Sequence, residues 1–252
     1  PPMTSSLSRS FCSSAALVTT KAAGSAGEVA VLTLDDGKMN AFSFDMISQV
    51  SAALDSARSS GAVVLTGNQR CFSAGFDLHV MGKAPSKEAG DLLEAGGQML
   101  FKMLQYERPL FMAAGGHALA LGAIVLLAGD MRIGVADILP KPIRVGLNEV
   151  HIGMPLPSFG VEMARTRLAP THFTRSTTLG EIYDPASAMT AGYLDCVVPA
   201  ATLLEHSIGL AANHAKLGSA FHTTKMYERR PLIESAKSML ARDVAAFSNK
   251  PP

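Results

Sequence analysis

The chain has 252 residues, 48% of them hydrophobic and 17% charged, with a formal net charge of +1. That composition is rich enough for a large core and excludes a disordered chain, and the length suits one large domain or one domain with an appendage. The small net charge gives no strong field for nucleic acid or a membrane surface, and no apolar run approaches the roughly 20 residues that span a bilayer.

In chain order, residues 3–21 hold six serines, Arg9 and Lys21 but no acidic residue. This composition fits an organelle transit segment, so residues 1–24 are expected to be an N-terminal extension and the location mitochondrial, with cytoplasm or peroxisome as the other options. Residues 28–34 (EVAVLTL) predict a strand closed by the turn Asp35-Asp36-Gly37. Ser43 or Asp45 can cap a helix in which Met46, Ile47, Val50, Ala53, Leu54 and Ala57 recur at helical spacing. Gly61 breaks it, and residues 62–66 (AVVLT) form a short buried strand, completing a βαβ-sized unit. A second unit follows: a helix over 86–106, a strand over 109–114, a short buried helix over 121–128 and a strand over 131–136. Such alternation predicts an α/β core with largely parallel strands over 25–198. From about Pro199 the pattern is helical, including a helix over 235–247, and 199–252 is expected to be a helical region serving oligomerisation. The pair Arg229-Arg230 reads as a solvated helix face. Cys12, Cys71 and Cys196 have no metal-ligand spacing and read as free thiols, so no metal is expected.

Three stretches bear on chemistry. Residues 70–78 (RCFSAGFDL) follow a buried strand, where Ala74-Gly75 let the backbone approach a ligand and leave the Phe76 N–H free to donate. In residues 115–130 (GGHALALGAIVLLAGD) a strand ends in paired glycines and feeds an apolar helix whose first N–H groups have no internal partner. An oxyanion there would be stabilised by backbone alone. His117 and Asp130 read as structural. In residues 145–157 (VGLNEVHIGMPLP) Glu149 sits among Val150, Ile152 and Met154, surroundings that raise a carboxyl pKa toward the range of proton transfer.

Taken together, these stretches resemble the crotonase (enoyl-CoA hydratase/isomerase) family. RCFSAGFDL is similar to its F-S-A-G-x-D-L signature, GHALALGAIVLLAGDMRI to G-x-A-x-G-G-G-x-x-L-x-x-x-C-D-x-R-I, GLNEVHIGMPLP to P-E-x-x-x-G-x-x-P, and DGKMNAFS to K-x-N-A-[FL]-[ST]. The resemblance implies a spiral of repeated ββα units with a helical C-terminal region, a homotrimer or homohexamer, and an acyl-CoA substrate, with no cofactor beyond the coenzyme A of the substrate itself. It places two oxyanion donors on Phe76 and Leu121, the latter in Ala120-Leu121-Gly122 where the family has three glycines, so the Leu121 side chain is expected to narrow the site. Lys38, Met39, Asn40, Ala74, Gly75, Asp77 and Leu78 fall on substrate-contacting positions. Of the two glutamates that hydratases use, one maps onto Ile124 and the other onto Glu149. One carboxylate implies migration of a double bond, 3-enoyl-CoA to trans-2-enoyl-CoA in fatty-acid metabolism. Hydration with a substitute for the missing carboxylate and acyl-CoA binding without turnover are the alternatives. The lysine-dense helix of RNA-binding relatives is missing, and no nucleic-acid partner is expected.

Overall fold

The computed structural model describes residues 16–24, 27–136 and 142–249. Strand β1 (Ala16–Gly24) pairs antiparallel with β2 (Gly27–Asp35), Ala16 lying opposite Asp35 and Gly24 opposite Gly27. The expected extension, 1–24, therefore ends in a strand of the main sheet. Its residues 1–15, on which the transit reading largely falls, lie outside the described residues. Helix α1 (Phe44–Ser56) starts at Ser43, whose hydroxyl accepts the Met46 N–H at 3.2 Å, and buries Met46, Ile47, Val50, Ala53 and Leu54 as the spacing predicts.

The chain continues through β3 (Ala62–Thr66), β4 (Cys71–Ser73), α2 (Leu78–Met81), α3 (Lys87–Leu104), β5 (Leu110–Ala114), β6 (His117–Leu119), α4 (Leu121–Leu127), β7 (Met131–Val135) and β8 (Val145–Gly146). Then come α5 (Ser158–Arg167), α6 (Pro170–Thr177), β9 (Ile182–Tyr183), α7 (Pro185–Ala191), β10 (Cys196–Val198), α8 (Leu203–His214) and α9 (Ser219–Ser248). The main sheet has the order β1-β2-β3-β5-β7-β10, parallel beyond the first hairpin, and β3 and β5 are buried along their whole length, as strands covered on both faces are. A smaller sheet has the order β4-β6-β8-β9. Each of β3, β5 and β7 is thus followed by a short strand of the second sheet and then by helix, and this repetition is the expected ββα spiral.

Two features depart from the sequence reading. The paired glycines do not feed α4 directly, because β6 intervenes. A side chain at Gly116 would fall on the Arg70–Cys71 backbone, so glycine lets the chain run alongside β4. Arg229 is not on a solvated face: it is 4% exposed, its guanidinium lies 2.7 Å from Asp130, and it donates to the Ala128 carbonyl at 2.9 Å. Lys225 reaches the same carboxylate at 2.8 Å. Both cations sit on α9, which is one helix with Pro231 inside it, so the helix expected over 235–247 is its second half. Asp130 also accepts the Leu110 N–H at 2.7 Å, which ties α9 to the main sheet. On its other side α9 packs against α3, where a side chain at Gly97 would meet Leu240 at 2.8 Å and one at Gly90 would strike Ser248.

Candidate active site

The site begins with a buried tie between two loops. Asn40, 0% exposed, donates its side-chain amide to the Cys71 carbonyl at 2.8 Å, and its own carbonyl accepts the Ser73 hydroxyl at 2.7 Å. The Met39 carbonyl accepts the Ala74 N–H at 3.0 Å. Asn40, expected to contact substrate, is buried and spends its carboxamide inside the protein. Lys38 is exposed and Met39 half-buried on the same loop. Asp77 caps α2, its carboxylate accepting the His79 N–H at 2.8 Å.

Gly75 has φ +100°, and a side chain there would lie 2.8 Å from the Ala120 Cβ and 3.2 Å from the Leu121 nitrogen. Only glycine allows this contact, which carries the next residue, Phe76, to the start of α4. The Phe76 ring and the Leu121 side chain meet over Gly96 of α3, at 2.6 Å and 3.5 Å from where its Cβ would be. Leu121 opens α4, so its N–H has no acceptor in the helix. Among the described residues neither that N–H nor the Phe76 N–H has a hydrogen-bond acceptor. Leu121 is 1% exposed and its side chain turns toward α3, so the expected narrowing does not occur. The wall position falls to Ala120, held at φ +50°.

These loops open on a cleft of 210 Å³ whose wall includes Phe76, Ala120, Ile124, Asn148, Glu149 and Phe247. Ala74 and Leu78 also line it, whereas Lys38, Met39, Asn40, Gly75, Asp77 and Leu121 do not. A neighbouring cavity of 510 Å³ shares Leu78, Ile152, Met154 and Phe247 with it, so the apolar lining continues past the cleft. Glu149 starts a 3-10 turn, Glu149–Ile152, and is 7% exposed. Burial pushes its carboxyl up to about 7, against a weaker pull from its own backbone N–H. Among the described residues it is the sole ionisable one on the cleft wall. Ile124, where a second carboxylate was sought, packs onto Gly160 of α5. Sequence reasoning missed Asn148 and Phe247. The first stood in the quoted motif beside Glu149, and the second reaches the cleft only through the packing of α9.

Residues 24–249 match the family model for enoyl-CoA hydratase/isomerase. The chain belongs to the enoyl-CoA hydratase/isomerase family. A family member from Pseudomonas syringae, known as a crystal structure, is 37% identical and superposes with a TM-score of 0.84 over 91% of this chain and 97% of that one. The 2,3-dehydroadipyl-CoA hydratase of Escherichia coli is 27% identical over 177 residues, 70% of this chain and 66% of that protein. Human mitochondrial enoyl-CoA delta isomerase 1 is 30% identical over 176 residues, 68% of this chain and 57% of that one. In both cases the match spans less than two thirds of the relative's length. The crotonase fold of the family is thus the fold described above. Among the described residues no helix is long and apolar enough to cross a membrane, and no three His, Cys, Asp or Glu residues are placed to hold a metal.

Two backbone donors and one near-neutral carboxyl around an apolar cleft form a coherent chemical set. A negative charge developing on an oxygen would meet the donors, and a proton on a nearby carbon would meet the base.

Proposed function

We propose that the protein isomerises 3-enoyl-CoA to trans-2-enoyl-CoA, with Glu149 as its single base. The observation that carries this reading is that, among the described residues, Glu149 alone on the cleft wall can take up or give a proton, Ile124 occupying the other candidate position. Phe76 and Leu121 N–H groups would hold the thioester oxygen. The Glu149 carboxylate removes a proton from C2, the electron pair spreads into a dienolate held at that oxygen, and the same carboxyl returns the proton to C4. Moving a double bond needs one group that takes and gives back one proton; burial sets Glu149 near neutrality, where both directions are accessible. The isomerase name of the human relative supports this reading, while the hydratase name of the bacterial relative supports hydration as the second one.

Lys38, Met39 and Asp77 are assigned to the coenzyme's side of the site, Lys38 because its exposed ammonium can meet phosphate. The reaction needs no cofactor beyond the substrate's coenzyme A. Assembly as a homotrimer or homohexamer through 199–252 and residence in the mitochondrion complete the proposal. The test incubates purified protein with 3-hexenoyl-CoA and with crotonyl-CoA and follows both products by chromatography. Glu149→Gln should lower isomerisation by roughly a thousandfold; a variant that turns over like the wild type sinks the reading.

A further inference from the structure

A run of hydroxyl groups that takes no part in the cleft wall is packed beside the turn that carries Glu149. Tyr183 of β9 lies opposite Val145 of β8, the strand that leads into that turn. A side chain at Gly180 would meet Val150 at 2.7 Å and His151 at 2.9 Å, so the chain entering β9 rests on the turn itself. The Tyr183 and Tyr193 rings are tilted against each other with centroids 5.6 Å apart. The Tyr183 hydroxyl is 3.1 Å from the Ser176 hydroxyl and 3.4 Å from Nδ1 of His172. Ser176 and Tyr193 are wholly buried.

A buried phenol ordinarily finds a hydrogen-bond partner. Among the described residues the Tyr193 hydroxyl has none, and neither has Oε2 of Glu149. The other side-chain donors buried in this way are the Ser60 hydroxyl, just beyond α1, and Arg229 Nε, beside Asp130. Tyr193 is therefore the unpartnered donor that belongs to the elements around Glu149. The two groups also feel each other: burial pushes the Tyr193 phenol up, the Ser176 hydroxyl pulls it down, and the charges of Tyr183 and Glu149 push it further up. An unmet donor and an unmet acceptor within electrostatic reach are both satisfied by meeting, and ionisation of the acceptor strengthens the bond.

We propose that Tyr193 is a positioning residue for Glu149: its phenol O–H donates to Oε2 of the ionised carboxylate and so holds Oε1 toward the cleft for proton transfer. The proposal rests on Glu149 being the base. Tyr193 touches no substrate and transfers no proton. With Ser176 donating to the Tyr193 oxygen, as its pull on that phenol implies, Tyr193 keeps its own hydrogen for Glu149. Tyr183 in turn donates to Ser176, and a chain of hydroxyls pointing one way strengthens each member. The remaining titratable groups on these elements are occupied elsewhere. His151 lies 2.9 Å from the Leu179 carbonyl, Arg175 pairs with Glu181 at the surface, and Asp184 caps α7.

The experiment records kcat and kcat/KM for 3-hexenoyl-CoA against pH for wild type, Tyr193→Phe and Ser176→Ala, with folding checked by circular dichroism. The Glu149 carboxyl is titrated in the same proteins by 13C NMR, its signal assigned by its loss in Glu149→Gln. Tyr193→Phe keeps the ring and removes one hydroxyl. Loss of a hydrogen bond to the charged form should move the Glu149 midpoint up by about one pH unit in both measurements. Below the midpoint kcat should fall about tenfold, with KM within about twofold of the wild type. A profile lowered at every pH with its midpoint unmoved is what loss of packing alone would give, and it overturns the proposal. If Tyr193→Phe does not fold, an upward shift in Ser176→Ala supports the proposal and an unmoved midpoint overturns it. Unimpaired isomerisation in Glu149→Gln brings down the base assignment instead, and the NMR titration then decides the Tyr193 contact by itself.

Discussion

Replacing Glu149 by Gln should stabilise the protein, and more so at alkaline pH. The wild-type carboxyl is held at about 7 in the fold against an ordinary 4.5, because burial disfavours its charge. Between these values the folded protein binds more protons than the unfolded chain, so stability falls as pH rises through the window and stays low above it. At about 1.4 kcal/mol per pH unit the full interval comes to about 3 kcal/mol. Glutamine has no charge to bury, so the variant escapes that cost: its advantage should be about 1 kcal/mol at pH 5 and about 3 kcal/mol at pH 8. In melting temperature the pH 8 gain corresponds to roughly 6–12 °C for a chain of this size. Urea titrations at the two pH values, at equal protein concentration, measure the difference. An advantage that is the same at both, or larger at pH 5, would refute the view that an ionised Glu149 is carried at a loss for the sake of its chemistry.

Four further outcomes follow from the same geometry. Isomerisation should require the ionised form of Glu149, so kcat/KM should climb with pH through about 7 and level off above it, with a pH–rate profile as the check. Ala120→Gly removes a side chain held at φ +50° and should raise the urea midpoint by an amount equivalent to about 1 kcal/mol, relief of strain outweighing the added freedom of the unfolded chain. Gly75→Ala puts a methyl group 2.8 Å from the Ala120 Cβ and forces the two donor loops apart; kcat/KM should fall by roughly a hundredfold in steady-state assays, as loss of an oxyanion donor does. Asp130→Asn leaves Lys225 and Arg229 buried without their carboxylate and should cost about 3–5 kcal/mol in chemical denaturation.

The parts of the fold that the sequence made plain are those long enough to carry a period or a cap. Helix α1 has five buried residues at helical spacing and a serine at its start, and β3 and β5 are unbroken apolar runs between breakers. The second sheet was hidden for the opposite reason. Strands β4, β6, β8 and β9 hold two or three residues each, too few for alternation to show, and their pairing depends on partners far away in sequence. Strand β1 was masked by composition, since its Thr- and Ala-rich sequence with a single Lys follows a serine-rich stretch and reads as part of a targeting segment rather than as a strand. For the site, Glu149 was legible because a carboxylate among Val, Ile and Met has one energetic outcome. The side chain of Leu121 was not, because backbone spacing says where its nitrogen lies but nothing of the glycine across the way that receives its side chain. Asn40 shows the converse: a polar residue beside a ligand loop looked available, and only the structure shows its amide consumed by β4.

Helix α3 has one more consequence. Gly96 lies under the Phe76 ring, Gly97 under Leu240 and Gly90 under Ser248, so along these rows only a backbone's thickness separates the donor loop from α9. The helix behaves as a shim whose gauge is set by missing methyl groups. Adding one on either face displaces a neighbour, and on the Phe76 side that neighbour carries a donor nitrogen. A screen of random variants for lost activity should therefore collect changes at Gly97, Leu240 and Ser248, positions that touch no substrate, and their defects should appear in kcat with folding largely retained. The sequence constraint of the active site thus extends through α3 to the helix packed against its other face.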